Sequence, residues 1–360
     1  MQVYDYIIIG GGIAGCSVAY ELSKHSSSIL LIEQNKDVAL GASGAAGAFL
    51  SPLLGKPNKF KELVTQSLDY STSLYKKNFS DYIDNCGTTR IPKDQKDSEK
   101  FQEYIPYMDF EYKKDEDGFY FPIGSVVDSY AICKSMIKNI QTLFNTKINN
   151  IEYKEGVWIL DKKIYTKNLI LATGIDTELI DQFYINIRAV WGRRIDIQTS
   201  TKIDYNYHKE CSLAKSNNGI TSIGATHHRE KKGVEDIKAN HQNLLKKANN
   251  IKTLEDVTII KDYVGARACS VDYFPIVGKL IDSQKTLQEF PYLKNGTHVN
   301  EKRFVRYNNL YIINGVGGRG FVLSPYLANI LVEYIIKDKE IDNSLKVDRL
   351  FKRDVKRIKI

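Results

Sequence analysis

The residues with the clearest chemical meaning are Gly10, Gly12 and Gly15, close to the start of the chain. They follow an apolar run typical of a buried strand and open a segment with small residues at helical spacing. Gly10 permits a tight turn, Gly12 lets the backbone approach a pyrophosphate, and Gly15 lets helix and strand pack closely. Glu33 ends the next apolar run, where a carboxylate accepts hydrogen bonds from ribose hydroxyls. The pattern predicts a dinucleotide site, with the phosphates at the helix N-terminus near Ala14.

Two further runs of small residues favour FAD over NAD as the dinucleotide. The first, "GASG", contains Gly41, Ala42 and Ser43 and follows the second predicted strand. Small residues let the backbone lie against an extended ligand, although such a run is also typical of a flexible loop. The second run, "LATG", contains Thr173 and Gly174 and ends another buried strand in a way common to flavoproteins. We therefore expect these residues to contact FAD.

A second glycine cluster, "NGVGGRG", lies between an apolar run and an apolar helical stretch near the C-terminus. Only 40 residues follow Gly320, which is too few for a second mononucleotide fold with a strand on each side of its helix. We predict that Gly317, Gly318 and Gly320 close the same sheet and direct a helix N-terminus at the flavin. That dipole would stabilise negative charge on the reduced ring. The electrons then come from a substrate rather than from a pyridine nucleotide.

Arg267 and Arg319 are the candidates for holding that substrate. A glycine-like amine carries a carboxylate, which an arginine binds with two parallel hydrogen bonds. Either residue would hold the C–H bond in place for hydride loss. The alternatives are an ordinary surface arginine in a turn for Arg319, and a structural ion pair with Asp272 or Asp262 for Arg267.

His228 lies at the end of a predicted strand, between His227 and Arg229. A histidine there could deprotonate a secondary amine or hydrogen-bond to the nucleotide, because its pKa is near neutrality. The alternative is an ordinary hydrogen-bonding side chain at a strand end. No Ser-His-Asp arrangement and no metal-like spacing can be inferred, so we predict no metal site.

Two basic segments could contact a nucleic acid. Arg188, Arg193 and Arg194 surround Trp191 and could frame an entrance on which bases stack, or be solvated arginines at a strand junction. The C-terminal tail could bind the phosphates of RNA or be a frayed amphipathic end. Its basic residues have near-helical spacing and are Arg349, Lys352, Arg353, Lys356, Arg357 and Lys359.

Composition restricts the environment of the protein more than its function. The chain has 51 basic and 43 acidic residues, and the net charge of +8 makes a polyanion partner plausible without proving one. Five cysteines without a CxxC pair argue for a reducing compartment and against a disulfide framework. The N-terminus has no pattern of a signal peptide, and no apolar run is long enough for a membrane span. We expect a cytoplasmic protein without membrane contact.

The elements that position these residues predict an α/β fold. It has a Rossmann-like FAD-binding domain with a parallel sheet, interwoven with a smaller α+β substrate domain with an antiparallel sheet. The predicted FAD-binding domain comprises residues 1–87, 125–187 and 263–360. The predicted substrate domain comprises residues 88–124 and 188–262.

Within these domains the local patterns predict individual elements. Helices are expected over residues 58–85 and 235–249, and a polar loop over residues 87–100. Alternating aromatic and charged residues at 111–124 suit strands of the second sheet. The stretch 146–174 reads as three short strands that return to the first domain.

The order of "GASG", "GFYFPIGS", "LATG", "GAR" and "GGRG" after the first glycine motif resembles the D-amino-acid-oxidase and glycine-oxidase superfamily of FAD amine oxidases, across nearly the whole chain. Within it, "SIGATHHRE", "GARACSVDYFPIVG", "GVGGRGFVLSP" and the basic ending look most like the oxidoreductase half of the MnmC family of bifunctional tRNA wobble-uridine enzymes. The resemblance implies oxidation at a CH–NH bond that converts 5-carboxymethylaminomethyl-uridine to 5-aminomethyl-uridine, with release of glyoxylate. It also puts Arg267 and Arg319 on the substrate side.

The same resemblance implies tRNA as the partner and, because the methyltransferase half is not in this sequence, room for a separate methyltransferase. The spacing from Cys269 to Asp272 and Pro275 differs from that of covalent-flavin members, so we expect noncovalent FAD. Two alternatives stay open at this point. One is an oxidase of free glycine, sarcosine or a D-amino acid, and the other is a noncatalytic flavin-binding subunit.

Overall fold

The computed structural model describes residues 2–115, 118–179 and 181–358. In chain order its strands are β1 (Val3–Ile9), β2 (Ile29–Ile32), β3 (Phe49–Leu50), β4 (Ile83–Asp84), β5 (Thr88–Arg90), β6 (Lys113–Asp115), β7 (Gly118–Phe121), β8 (Ser125–Val127), β9 (Gln141–Leu143), β10 (Ile151–Lys154), β11 (Val157–Leu160), β12 (Ile164–Leu171), β13 (Ile187–Gln198), β14 (Asn206–His208), β15 (Ser212–Leu213), β16 (Ile220–Gly224), β17 (Thr258–Ser270), β18 (Ile276–Ile281) and β19 (Arg306–Asn314). Its α-helices are α1 (Ile13–Leu22), α2 (Ala42–Ala45), α3 (Lys59–Asn78), α4 (Gln95–Tyr104), α5 (Ser129–Met136), α6 (Ile237–Asn249), α7 (Ser283–Glu289), α8 (Gly320–Lys337) and α9 (Asp348–Asp354).

Five parallel strands form the centre of the first sheet, in the order β9, β2, β1, β12 and β19. The buried parts of β1, β2 and β12 are runs of Ile and Leu, as expected for parallel strands that are covered on both faces. The register places Ile9 beside Ile32 and Leu171, and Leu171 beside Ile312. The residues that follow these four strands therefore meet at the carboxyl edge, where open α/β sheets bind ligands.

The predicted three-stranded return to this sheet is confirmed. Strands β10, β11 and β12 form an antiparallel meander, and the last of them enters the parallel part of the sheet beside β1. At the far edge β18 pairs antiparallel with β19.

The second sheet has eight strands in the order β17, β13, β16, β15, β14, β5, β7 and β6. All neighbouring pairs are antiparallel except β14 with β5. Helix α6 packs against this sheet through Leu244 and Ala248, which share a buried cluster with Ile195 and Ile223. Because the chain enters this sheet, leaves it and enters it again, the predicted α/β fold class with two interwoven parts is confirmed.

Strand β17 extends the second sheet further along the chain than predicted. All of β13 pairs with β17, from Ile187 opposite Ser270 to Gln198 opposite Thr258. The boundary that we predicted between residues 262 and 263 therefore falls inside a single strand. The residues of β17 are polar and half-exposed, so they give no local signal of where this strand begins and ends. Its length is set by pairing with β13, about 70 positions earlier.

The prediction of a polar loop over residues 87–100 is wrong. Thr88 and Thr89 are buried in β5, which pairs with β7 and β14. Helix α4 follows, and the Asp94 side chain caps it by accepting a hydrogen bond of 2.8 Å from the backbone N–H of Asp97. Polar residues dominate this segment because one face of α4 is solvated. The segment therefore lacks the hydrophobic periodicity that would have predicted β5 and α4.

Helix α8 lies in the core of the first domain. Leu323, Leu327 and Leu331 are fully or almost fully buried in its main hydrophobic cluster. Pro325 cannot donate to the carbonyl of Phe321, and the Tyr75 hydroxyl of α3 donates to that oxygen instead, at 2.9 Å. Among the described residues, α8 with its preceding turn is long and apolar enough to cross a membrane, but half of its apolar window is buried. Its packing accounts for its composition.

Candidate active site

The turn between β1 and α1 has the conformation that the first glycine motif predicts. Gly10 has φ +113°, and a Cβ atom there would lie 2.3 Å from the carbonyl oxygen of Ala172. A Cβ atom on Gly15 would lie 1.9 Å from the carbonyl oxygen of Gly10. Gly12 is the N-cap residue of α1, so the N-terminus of this helix lies at the carboxyl edge of the sheet. Glycine is thus required for packing at residues 10 and 15, and for ligand access at residue 12.

Glu33 lies directly beyond β2 and is 8% exposed. Its carboxylate accepts hydrogen bonds from the backbone N–H of Gly11 at 2.6 Å and of Asn35 at 2.8 Å. These bonds hold the carboxylate next to the glycine turn, which is the place where ribose hydroxyls of an adenosine would reach it.

The "GASG" segment closes over the N-terminus of α1. The Ser43 hydroxyl accepts a hydrogen bond of 2.9 Å from the backbone N–H of Ile13. On its other side the short helix α2 packs against β17 so closely that a Cβ atom on Gly265 would lie 2.8 Å from the Cβ of Ala45. The segment therefore connects the carboxyl edge of the first sheet with the second sheet.

A cavity of about 1090 Å³ runs from Glu33 to the second sheet. It brings together fourteen of the sixteen predicted site residues, all except Gly15 and His228: Gly10, Gly12, Ala14, Glu33, Gly41, Ala42, Ser43, Thr173, Gly174, Arg267, Gly317, Gly318, Arg319 and Gly320. Gly15 lies behind the turn, in the packing position expected for the third glycine of the motif.

The second glycine cluster closes the first sheet, as predicted. Strand β19 pairs with β12, Gly315 and Gly317 have φ +74° and +57°, and α8 begins at Gly320. A Cβ atom on Gly318 would lie 3.5 Å from Cδ of Arg267, so this turn directly faces β17. The N-terminus of α8 and Arg267 thus lie on the wall of the same cavity.

Arg267 and Arg319 both line the cavity without an acidic partner within ion-pair distance among the described residues. The two aspartates named as alternative partners pair elsewhere, Asp262 with Arg193 and Asp272 with Arg349. Arg267 donates to the carbonyl of Thr226 at 3.2 Å, and Arg319 to the carbonyl of Ser51 at 3.3 Å. Burial lowers the pKa of Arg267, and lowers that of Arg319 to about 10.

Arg90 is a third arginine of this cavity, and our sequence analysis missed it because it lies in the supposed loop. It donates to the Ser51 hydroxyl and to the carbonyl of Pro52, both at 3.3 Å, while its Nε has no hydrogen-bond partner. Burial, followed by the positive charge of Arg319, lowers its pKa to about 9. The scarcity of arginine in this lysine-rich chain was the one signal that could have drawn attention to Arg90.

His227 rather than His228 faces the cavity. His228 points at α6, where its Nε2 lies 2.9 Å from the Asn240 side-chain oxygen and Gly233 packs against its ring. The prediction placed the histidine one residue off, which in an extended segment reverses the side-chain direction. Burial, and then the charge of Arg267, lowers the pKa of His227.

A second cavity histidine, His208, ends β14, and its Nδ1 lies 2.8 Å from the Ser212 hydroxyl. Burial, and then the charges of Arg90 and Arg319, hold the pKa of His208 well below its usual range. Both cavity histidines are therefore neutral near pH 7. In the described part of the chain, no group of three or more His, Cys, Asp or Glu side chains is arranged to hold a metal.

The basic tail is packed and largely ion-paired. Leu350, Phe351 and Val355 lie in a buried cluster. Four of its basic side chains have acidic partners: Arg349 with Asp272, Lys352 with Glu301, and both Arg353 and Arg357 with Asp354. A frayed end does not describe residues 348–357, which are helical and packed, whereas binding of RNA phosphates stays a prediction; Lys359 lies outside the described residues.

The site fits an FAD molecule. The glycine turn supplies backbone N–H groups for a pyrophosphate, the carboxylate of Glu33 lies beside it, and the cavity continues between the two sheets to the start of α8. Cys269 also lines the cavity.

Curated relatives cover nearly the whole chain at low identity. The tRNA 5-methylaminomethyl-2-thiouridine biosynthesis bifunctional protein MnmC of Legionella pneumophila is 25% identical in an alignment 368 positions long, which covers 92% of this chain and 54% of that protein. The protein of the same name from Campylobacter fetus is 23% identical, over 98% of this chain and 60% of that protein. The chain thus spans little more than half the length of these relatives.

Solved structures share the fold. Glycine oxidase from Geobacillus kaustophilus superposes with a TM-score of 0.73 at 17% identity, covering 95% of this chain and 96% of that one. Iminodiacetate oxidase from Chelativorans gives 0.72 at 16% identity, covering 94% and 97%. An FAD-bound L-alpha-glycerophosphate oxidase from Mycoplasma pneumoniae gives 0.71 at 15% identity, covering 92% and 94%.

The family model described as FAD dependent oxidoreductase, DAO, matches residues 5–334. This range includes both glycine clusters, both sheets and the three cavity arginines. The chain belongs to the DAO family of FAD-dependent oxidoreductases.

Proposed function

We propose that this protein oxidises the carboxymethylamino group of 5-carboxymethylaminomethyl-uridine at the wobble position of tRNA, leaving 5-aminomethyl-uridine and releasing glyoxylate. The single observation that carries the proposal is the set of three cavity arginines that have no acidic ion-pair partner in the described part of the chain, Arg90, Arg267 and Arg319. A buried cation is costly unless it is paired, so a cavity built in this way favours a substrate that brings a carboxylate. The names of the curated relatives support tRNA as the carrier of that substrate.

The chemistry divides between cofactor and chain. The glycine turn and Glu33 would hold FAD, which would supply the acceptor for the substrate hydride, with an external oxidant such as dioxygen taking up the two electrons. The substrate loses a hydride from its N–CH₂ carbon and a proton from nitrogen, which forms a C=N bond. Water adds to that bond and the C–N bond then breaks, giving the primary amine on tRNA and glyoxylate.

The residues of the chain orient the substrate and move the proton. Arg267 and Arg319 would hold the carboxylate so that the N–CH₂ carbon faces the flavin site. Burial and the charge of Arg267 lower the pKa of His227, which lines the same cavity and is the candidate base. The lowered pKa keeps His227 neutral and able to accept the amine proton. A neutral base is required because a protonated amine does not release hydride.

The second candidate is an oxidase of a free amino acid such as glycine or sarcosine. The glycine oxidase fold and the same arginines favour it. The two candidates differ in what lies beyond the nitrogen: a single small group, or a nucleotide that extends out of the cavity.

Anaerobic reduction of the flavin separates the candidates. The protein would be mixed without oxygen with glycine, with sarcosine, and with an anticodon stem-loop carrying 5-carboxymethylaminomethyl-uridine, and the flavin absorbance followed. We expect rapid bleaching by the stem-loop, with glyoxylate and 5-aminomethyl-uridine as products by mass spectrometry. Rapid bleaching by glycine or sarcosine together with no reaction of the stem-loop would overturn the tRNA assignment. If none of the amines reduces the bound flavin, a noncatalytic flavin-binding subunit becomes the better account.

Three further properties belong to this proposal. FAD is bound without a covalent bond, so acid precipitation releases it. The aminomethyl product then passes to a methyltransferase activity on a separate chain. The reaction takes place in the cytoplasm, where wobble-modified tRNA is used.

A further inference from the structure

The cavity opens beside one unusually exposed aromatic side chain. Tyr273 is 69% exposed, more than any other large hydrophobic side chain among the described residues, and it lines the cavity. Burial of an aromatic ring is favourable, and an exposed ring can mark an interaction site. Its place at the cavity rim therefore suggests that it contacts something that enters there.

The backbone holds Tyr273 in a conformation that tyrosine rarely adopts. Its φ is +67°, in the left-handed region where a bulky side chain is an outlier. The residues on both sides are fixed: the Asp272 carboxylate accepts from the Ser270 hydroxyl at 3.0 Å and from the Phe274 N–H at 3.2 Å. Arg349 pairs with Asp272 and donates to the carbonyl of Phe274 at 2.8 Å. The ring is thus presented by a rigid turn.

A guanidinium lies over this ring. The Arg188 guanidinium carbon is 5.3 Å from the ring centroid of Tyr273, and its Nη2 is tethered to the carbonyls of Ser270 and Val271, both at 3.1 Å. A second pair of the same kind occurs on the cavity wall, where Lys231 lies 5.6 Å from the ring centroid of Trp191. Aromatic faces with a cation beside them suit a flat, electron-rich ligand attached to phosphates.

We infer that Tyr273, with Arg188, is a stacking platform for the nucleobase next to the modified uridine, while the uridine side chain enters the cavity. This inference rests on the proposed function and adds how the RNA is recognised. Unpaired loop bases can stack on an aromatic face. Any of the four bases can make this contact, because each has a π-face. Arg188 contributes to stacking and to attraction of the neighbouring phosphate.

The test compares substrates that differ only in the flanking nucleotides. Tyr273→Ala should raise KM at least about 5-fold for the modified anticodon stem-loop, the lower limit of base-stacking effects. The same variant should leave kcat/KM for the free 5-carboxymethylaminomethyl-uridine nucleoside unchanged. Tyr273→Phe should restore the wild-type KM, because the ring face is kept. Tyr292→Ala, at a 41% exposed tyrosine that does not line the cavity, is the matched control and should behave as wild type.

A second readout does not depend on turnover. With 2-aminopurine beside the wobble position of the stem-loop, stacking on Tyr273 should quench its fluorescence, and the quenching should disappear in Tyr273→Ala. Unchanged quenching and KM in that variant would overturn the platform while leaving the proposed function intact. An equal loss on stem-loop and nucleoside would also overturn it, by placing Tyr273 in the reactive pocket. If wild type binds the stem-loop with quenching but oxidises no amine on it, the proposed function fails and the platform stands.

Discussion

At the scale of single residues, the site combines features that the sequence predicts well with features that it hides. The glycines and Glu33 were identified because their spacing has a direct physical meaning. Arg90 was missed because its strand is short and is stabilised by partners far along the chain, and the histidine that lines the cavity was misplaced by one residue. The first error concerns an element that depends on distant strands, and the second concerns side-chain direction in an extended segment; a local pattern fixes neither.

Replacing Arg267 should separate catalysis from cofactor binding. In Arg267→Ala, we expect kcat/KM for the carboxylate-bearing amine to fall at least about 100-fold, because the C–H bond is no longer held in line. The FAD content of the purified protein should not change. Arg303→Ala is the control, since that arginine lies over the Phe290 ring and outside the cavity. Equal kinetics of Arg267→Ala and wild type would remove the carboxylate clamp.

Replacing Arg90 should affect binding and stability in opposite directions. Arg90→Gln removes a buried guanidinium without an ion-pair partner among the described residues, so we expect a higher Tm in the absence of substrate. The same change should weaken binding of glycolate, an unreactive carboxylate, by about 10-fold or more as measured from the flavin absorbance spectrum. A lower Tm with unchanged glycolate binding would show that Arg90 is only structural.

His208 should make the fold sensitive to acid. Because its folded-state pKa is lowered by burial and by Arg90, the unfolded chain takes up a proton below about pH 6.5 that the folded chain resists. The contribution of His208 to stability is therefore present above that pH and is lost as the pH falls. In thermal denaturation from pH 7 to pH 5, His208→Gln should lose less Tm than wild type. The control His298→Gln, at an exposed histidine outside the cavity, should follow wild type, and parallel curves for all three proteins would contradict this assignment.

At the scale of elements, the glycine turn links the fold to the cofactor. The sequence predicted strand, turn and helix here because periodicity changes sharply at Gly10. It failed for β5 and α4, whose polar residues mask a strand that depends on β7 and a helix that depends on the Asp94 cap. Elements with clear hydrophobic periodicity can be predicted from the sequence, and elements stabilised mainly by distant strands or polar contacts cannot.

Two alanine substitutions in this turn should have different consequences. Gly15→Ala forces a Cβ atom against the Gly10 carbonyl, so we expect about 1–3 kcal/mol of destabilisation together with loss of FAD. Gly12→Ala meets only the Ser43 hydroxyl, at 3.3 Å, so the apoprotein should keep its unfolding temperature and yet bind FAD poorly. Circular dichroism melting and flavin content measure the two effects. Equal stability of the two apoproteins would contradict the different roles of these glycines.

In the molecule as a whole, the two sheets form opposite sides of one cavity. The first sheet ends at the glycine turn, Glu33 and the start of α8, and the second sheet contributes Arg90, His208 and Arg267. The predicted interwoven organisation follows from strand signals along the chain. The extent of β17 does not, because it is set by its pairing with β13. The cavity residues Arg90, His208 and Arg267 thus lie on the sheet whose pairing is hardest to predict from sequence.

We propose that both glycine clusters bind one flavin in this cavity. The most direct measurement is the number of FAD molecules released by acid from purified protein, compared with the protein concentration and checked by mass spectrometry of the chain. We expect one FAD per chain, fully released, and a yellow protein before treatment. A colourless protein that takes up no FAD, or one that binds two dinucleotides, would contradict it.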